Sequence, residues 1–262
     1  MKLQFSKYQG TGNDFILIDN RQAQHVFTRA QVAELCNRRF GIGADGLILL
    51  NAHSTLDFEM KNYNSDGGEC SMCGNGGRAL IQFAFDQGVT QEQYRFMAID
   101  GEHEALLKNN KVELKMQNIN DVRETPVGYA MDTGSPHLVV DVKDLLNFDV
   151  VKEGRKLRNS SLFLPAGINV NFVEKRYDHL FIRTYERGVE DETLSCGTGA
   201  IAAAIASILD PSLDQTLTYG QKETAVQCQG GRLTIRFEKK TRTQFEEIWL
   251  IGEAKKSFEG QV

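Results

Sequence analysis

The chain predicts an α+β fold made of two similar halves, and three observations carry that prediction. Short runs that alternate apolar and polar residues recur along nearly the whole length, which is the signature of strands. The motif Cys-Gly-x-Gly occurs twice, at Cys73 and at Cys196, and each copy opens an apolar, helix-like run. The copies stand about half a chain length apart, so the 262 residues divide into two units of ordinary domain size. A boundary between Gln117 and Thr125 is expected, giving halves of 1–118 and 119–251.

The elements follow in order. Leu3–Gln9 and Asp14–Asp19 read as strands joined by the glycine turn Gly10-Thr11-Gly12. Thr28-Arg29-Ala30-Gln31 is a capping box, and it precedes an amphipathic run with Val32, Leu35, Cys36 and Phe40 on one face. Gly46–Leu50 and Phe58–Asn64 read as strands, and Asn75–Gln87 as a helix ended by Gly88. Tyr94–Ile99 and Val112–Met116 are strand-like, the latter after the turn Asn109-Asn110. In the second half His137–Val142, Ile168–Glu174 and Leu180–Tyr185 alternate as strands. Gly197–Leu209 reads as a helix stopped before Asp210-Pro211. Ala225–Gln229, Leu233–Glu238 and Ile248–Ile251 complete the strands, the first two joined through Gly230-Gly231.

Composition removes several classes of function. A formal net charge of −5 and the lack of any basic stripe argue against nucleic acid as a partner. The first residues hold no apolar signal segment, and Gly199–Leu209 is far too short to span a bilayer, so no membrane role is expected. Five cysteines without disulfide-framework spacing point to free thiols in a reducing cytoplasm. Asn159-Ser160-Ser161 is then a plain loop rather than a glycosylation site.

The chemistry centres on Cys73 and Cys196. A thiol just before a helix meets the positive end of the helix dipole, which lowers its pKa below about 8.5. Bare glycine amides beside it can hold a carboxylate. Two such units give one acid and one base, the equipment for inverting a carbon centre without a cofactor. Free cysteine is more often a buried core group, and Cys36 and Cys228 fit that reading. Cys70 and Cys73 form a Cys-x-x-Cys. No second pair is present to complete a zinc site, but a thiol redox protein using Cys70 and Cys73 stays open. Neither glycine loop has the pattern of a P-loop or a dinucleotide site. Polar corners close several strand patterns: Thr11-Gly12-Asn13-Asp14, Asn64-Ser65-Asp66-Gly67, Asn169-Val170-Asn171 and Glu186-Arg187-Gly188. Singly these are turn formers or surface pairs. His137 alone is more often structural, and His25, His53, His103 and His179 have no supporting context.

Taken together in sequence order, Asn13 in TGNDF, Asn64 in NSDG, Cys73 in MCGNGGR, His137 in GSPH, Asn169 in INVNF, Glu186-Arg187 in YERG and Cys196 in SCGTGA resemble the diaminopimelate epimerase family. The two cysteine motifs alone also suit the wider proline racemase-like superfamily; the other segments narrow the match, which runs from Gly10 to about Ala200. The resemblance implies two halves, each wrapping strands around a central helix, with the active site in the cleft between them. It implies that a last strand within about 252–262 returns to the first half. The implied reaction converts LL-2,6-diaminopimelate to the meso form, on the route to lysine and peptidoglycan, with no pyridoxal phosphate and no metal, in a cytoplasmic homodimer. Carried over by position, Cys73 and Cys196 are the acid and base, and His137 and Glu186 tune and orient them. Asn13, Asn64, Asn169, Glu186 and Arg187 hold the substrate, and the amides of Gly74-Asn75 and Gly197-Thr198 bind its reacting carboxylate.

The chain departs from the family pattern at Ser135, where Asn is usual, and at Gly46, where some members have Gln. The segment Val189–Thr193 is longer and more acidic than many. A racemase of the same fold acting on proline, hydroxyproline or histidine is the nearest alternative.

Overall fold

The computed structural model describes residues 3–209 and 219–262. Its elements are β1 (Gln4–Gly10), β2 (Asn13–Asp19), α1 (Arg29–Cys36), β3 (Gly46–Asn51), β4 (Phe58–Asn64), β5 (Glu69–Cys70), α2 (Gly74–Asp86), β6 (Gln93–Ala98), β7 (Gly101–Lys108) and β8 (Lys111–Lys115). There follow β9 (Val122–Thr125), β10 (Gly128–Asp132), β11 (Pro136–Asp141), α3 (Val150–Arg158), β12 (Asn169–Lys175), β13 (Leu180–Glu186), β14 (Asp191–Thr193) and α4 (Gly197–Ser207). The last strands are β15 (Gly220–Cys228), β16 (Gly231–Lys239), β17 (Phe245–Gly252) and β18 (Lys255–Gln261). The chain forms two compact units, Met1–Leu114 with Gly252–Val262, and Lys115–Ile251.

The two units repeat one strand pattern. In the first, the pairing runs β18-β1-β2-β3-β4-β6-β7-β8, antiparallel except where β2 meets β3 and β4 meets β6. In the second it runs β9-β10-β11-β12-β13-β15-β16-β17, with parallel pairs at the same two places, β11 with β12 and β13 with β15. Each unit also adds a short antiparallel strand, β5 on β4 and β14 on β13, just before its central helix. The fold is α+β with two similar halves. Strand β18, from late in the chain, holds the place in the first unit that β9 holds in the second.

The central helices explain the wrapping. Helix α4 reads Gly-Thr-Gly-Ala-Ile-Ala-Ala-Ala-Ile-Ala-Ser and is buried on nearly every side. A helix apolar all round is a core element, and its alanines let strands approach closely. Ile201, Ile205 and the alanines pack with Ile182, Val226, Ile235, Phe237 and Leu250. Each isoleucine buried there contributes roughly 1.5–3 kcal/mol. Helix α2 is buried from Gly74 to Ile81 in the same manner, with Phe83 against Tyr8.

Several elements differ from the sequence reading. The capping box of α1 forms, but the helix ends at Cys36 and Phe40 is 87% exposed, off the predicted apolar face. The chain folds back over the helix end there, so closely that a Cβ on Gly41 would lie 2.1 Å from the Glu34 carbonyl oxygen. Helix α3 escapes prediction because Gly154 interrupts its pattern; the glycine is needed because a Cβ would sit 2.4 Å from Tyr185 Cβ. Strand β7 is too polar to stand out, and β5, β9, β10 and β14 are too short. Asn159 is not a plain loop residue: it caps α3, its amide donating to the Arg155 carbonyl at 2.8 Å. The expected stop at Asp210-Pro211 lies outside the described residues. Among those residues, no helix is long and apolar enough to cross a membrane.

Candidate active site

In the first unit, Cys73 is the N-cap of α2, with extended backbone at φ −107° and ψ 148°. Its sulfur accepts the Gly76 N–H at 3.2 Å. The glycine after next has a packing reason: a Cβ on Gly76 would lie 3.1 Å from both Cys73 Sγ and Ile48 Cδ1.

Beside the cap lies a chain of amides whose orientation is fixed from both ends. Arg78 is wholly buried and donates to the Gly74 carbonyl (3.1 Å), Thr11 Oγ1 (3.0 Å) and Asn75 Oδ1 (3.0 Å). A guanidinium only donates, so that atom of Asn75 is the oxygen. Asn75 Nδ2 then donates to Asn13 Oδ1 at 3.3 Å, and Asn13 Nδ2 donates to Asp45 Oδ2 at 2.6 Å. A carboxylate only accepts, which closes the chain consistently. Asp45 is held in turn by Arg38 (2.7 Å), which also grips Asp14, and Asp14 pairs with the buried Lys7 at 2.6 Å. Asn64 stands exposed at the end of β4, opposite Gly46. Position 46 has no room for a longer side chain, because a Cβ would meet the Tyr63 carbonyl oxygen at 2.6 Å.

Burial alone would raise the Asp14 pKa, but the hydrogen bonds from Arg38 and Lys7 hold its carboxyl well below the usual range. A folded-state pKa below the unfolded 3.8 means stability that is present above that pH and lost as pH falls further. Urea midpoints are therefore expected to drop on acidification below pH 3.8, and Asp14→Asn is expected to flatten that limb. An acid limb unchanged in Asp14→Asn contradicts the assignment.

In the second unit, Cys196 is the N-cap of α4, at φ −124° and ψ 112°, and no capping bond comes from its side chain. Its sulfur instead meets Thr198 Oγ1 at 3.4 Å. The residue keeps some surface, yet desolvation of the sulfur pushes the thiol up to about 12, and the Glu186 charge adds to the rise. The Thr198 hydroxyl and the Gly199 amide pull the other way without prevailing. This differs from the lowered pKa expected at a helix start: burial and a carboxylate outweigh the dipole. Burial also raises Glu186, at the end of β13.

His137 is wholly buried, and desolvation, with Arg187's charge adding to it, pushes its pKa down to about 3. The ring is neutral at any ordinary pH. Its Nε2 lies 2.9 Å from Thr198 Oγ1 and 3.0 Å from Ser135 Oγ, and its Nδ1 lies 3.0 Å from Asn171 Nδ2. Asn169 joins this cluster, donating to Ser135 Oγ (3.2 Å) and the Pro136 carbonyl (3.1 Å) while accepting the Arg187 N–H (2.8 Å). The Arg187 guanidinium donates to the Ala166 carbonyl at 3.2 Å. The acidic segment has a structural account: Glu190 pairs with Arg158 (2.9 Å) and Glu192 grips Arg183 through two bonds of 2.6 Å.

The first unit thus brings together Cys73, Gly74, Asn75 and Asn13, and the second Cys196, Thr198, His137, Asn169 and Arg187, with Glu186 acting on Cys196. Sequence reading missed Thr11, Asp45, Arg78 and Asn171, although three of these lie inside the quoted TGNDF, MCGNGGR and INVNF segments and Asp45 adjoins Gly46. Of the other thiols, burial pushes Cys36 up to about 11 and Cys70 up to about 12, the Cys73 charge adding to the latter. Cys228 is buried in β15.

The solved structure of a phenazine biosynthesis protein of the PhzF family from Bacillus anthracis is similar to this fold, with a TM-score of 0.74 and 16% identity over 100% of this chain and 99% of that one. A hydroxyproline epimerase from Agrobacterium vitis is also similar, at a TM-score of 0.65 and 14% identity over 100% of this chain and 92% of that one. At such identities the likeness concerns the fold alone. Sequence relatives are nearer. The chain is 47% identical to a diaminopimelate epimerase of Flavobacterium psychrophilum, across 97% of each, and 42% identical to one of Chlorobaculum tepidum, across 97% of this chain and 98% of that. The diaminopimelate epimerase family model matches residues 5–120 and 129–257, which takes in both cysteine caps and every residue of the two clusters above. With full-length relatives and a matching family model, the chain belongs to the diaminopimelate epimerase family.

Proposed function

We propose that this protein epimerises LL-2,6-diaminopimelate to the meso form, with Cys73 and Cys196 as its two acid–base groups. The observation that carries the reading is the pair of cysteine N-caps at matching places in a duplicated frame, within a chain of this family.

The α-hydrogen of an amino acid is a very weak acid. One cysteine, as thiolate, takes that proton and becomes a thiol; the other, as thiol, gives its proton to the opposite face and becomes a thiolate. The raised Cys196 thiol supports Cys196 as the protonated partner at rest. Negative charge developing on the substrate's α-carboxylate is met by the helix-start amides of Gly74-Asn75 and Gly197-Thr198, which carry the positive ends of two dipoles. Asn13, Asn64, Asn169, Glu186 and Arg187 receive the second amino-acid centre. Neutral His137 acts by hydrogen bonding, not by charge. The two thiols titrate as a unit, so the rate has a bell-shaped pH dependence. The reading includes a homodimer in the cytoplasm. Exposed Phe40, Phe258 and Val262 along an apolar groove of the first unit, with Leu3, Phe27 and Ile42, support self-association.

The test is turnover of LL-diaminopimelate in heavy water, followed by chiral chromatography and mass spectrometry. Early product is expected to carry deuterium at the inverted carbon and recovered substrate almost none, because the donor thiol is already exchanged with solvent. Equal early label in both defeats the two-base scheme. Turnover of proline, hydroxyproline or histidine in place of diaminopimelate moves the chain to another substrate.

A further inference from the structure

The duplicated frame allows the surroundings of the two cysteines to be compared position by position. In the first unit, Phe15 pairs with Gly46 across β2 and β3; in the second, His137 pairs with Asn169 across β11 and β12. Phe15 therefore corresponds to His137, and Ile48 to Asn171. In the first unit Phe15 and Ile48 crowd Gly76, the third residue after Cys73. In the second unit Asn171 crowds the equivalent glycine: a Cβ on Gly199 would lie 2.3 Å from Asn171 Oδ1. The fold accepts an apolar pair at these places, yet beside Cys196 it buries a histidine and an amide, which is costly unless both are satisfied.

They are satisfied in only one way. Asn171 Nδ2 lies 3.0 Å from the Leu138 carbonyl oxygen, which can only accept, and Thr184 Oγ1 donates to Asn171 Oδ1 at 3.0 Å. The amide orientation is therefore fixed, and Nδ2 donates to His137 Nδ1. Nδ1 carries no proton, so the single ring hydrogen is on Nε2. Nε2–H faces Thr198 Oγ1 and Ser135 Oγ, so Thr198 cannot donate to the ring. Ser135 Oγ already receives an Asn169 amide hydrogen. The Thr198 proton has two acceptors at 3.4 Å, Ser135 Oγ and the Cys196 sulfur; that distance is long for O–H···O but within reach of the larger sulfur atom, so the geometry favours the sulfur.

We propose that the Thr198 hydroxyl is a catalytic hydrogen-bond donor to Cys196, and that His137 and Asn171 are positioning residues that direct it there. The donor favours the thiolate each time Cys196 must hold or regain its negative charge. It offsets the opposing influence of Glu186 and Cys228, the ionisable groups that face this sulfur; Arg187 is the charged group that faces His137. In the first unit the positions matching His137 and Asn171 hold Phe15 and Ile48, which have no polar atom for such a relay. The proposal rests on Cys196 being an acid–base group, but its main readouts use no substrate and so stand or fall separately from the reaction.

The test is site-resolved alkylation of Cys196 by iodoacetamide as a function of pH, read by peptide mass spectrometry. Thr198→Val is expected to slow labelling roughly tenfold at each pH on the rising limb, the rate expected of a thiol about one pH unit harder to ionise, and Thr198→Ser to restore it. Under turnover, Thr198→Val is expected to lower kcat ten- to hundredfold with KM within about twofold. Asn171→Leu is expected to slow labelling in the wild-type background and to add nothing to Thr198→Val, the mark of one pathway. Should Asn171→Leu fail to fold, nitrogen NMR of the unmodified protein decides the tautomer, with Nδ1 expected bare and Nε2 protonated. A protonated Nδ1, or an unchanged rate of Cys196 labelling in Thr198→Val, overturns the proposal.

Discussion

Cys73→Ala and Cys196→Ala are each expected to remove epimerisation by at least about a thousandfold, since each thiol makes one proton transfer that nothing else can make. The two variants are expected to differ in stability. Cys73 accepts the Gly76 N–H and so caps α2, and alanine there leaves that donor unmet, at about 0.5–1 kcal/mol. Cys196 makes no cap bond of that strength, only the weaker pull of the Gly199 amide, so its loss is expected to lower the urea midpoint less. Chiral chromatography measures the first effect and urea denaturation the second. Near-wild-type turnover in either variant removes that cysteine from the mechanism, while Cys70→Ser, outside both caps, is expected to keep most of the activity.

Arg78→Met is expected to be the most damaging substitution outside the thiols. It removes the donor to the Gly74 carbonyl, Thr11 Oγ1 and Asn75 Oδ1, all within the buried start of α2. Hydrogen bonds from a charged donor contribute about 1.5–3 kcal/mol each, and with Asn75 Oδ1 still receiving the Thr11 hydroxyl at 3.1 Å a loss of about 3–5 kcal/mol is expected, a large share of a domain's stability. Even where the protein folds, the Thr11 hydroxyl, which can either donate or accept, replaces the guanidinium in orienting Asn75 and Asn13, so KM is expected to rise. Denaturant unfolding and steady-state kinetics test both parts. A loss under 1 kcal/mol with KM unchanged shows that the amide chain holds without the guanidinium.

The sequence made the thiols and the repeat legible for a physical reason. A cysteine before glycines before an apolar run is a local statement, complete within ten residues, and its second occurrence marks the duplication. The residues that tune each thiol are not local. Asp45 reaches Asn13 from the loop just before β3, and Asn171 governs Thr198 only through His137. Gly154 hides α3 because its reason, Tyr185, lies on β13. The glycines of the cysteine motifs also serve a second purpose. Besides leaving amides bare for a carboxylate, Gly76 and Gly199 make room for Ile48 and Asn171 of the protein itself.

Strand β18 lies beside β1 in the first unit although the whole of 115–251 separates that unit's two parts in the sequence. A nascent chain therefore leaves the ribosome with its first domain one strand short. At about 5–20 residues per second the gap lasts roughly seven to thirty seconds, while the second domain is made and can already fold. Throughout that interval the outer edge of β1 is an open template for other chains. Biogenesis of this enzyme thus carries an exposure that its finished architecture conceals, and synthesis order, not final stability, sets how long it lasts.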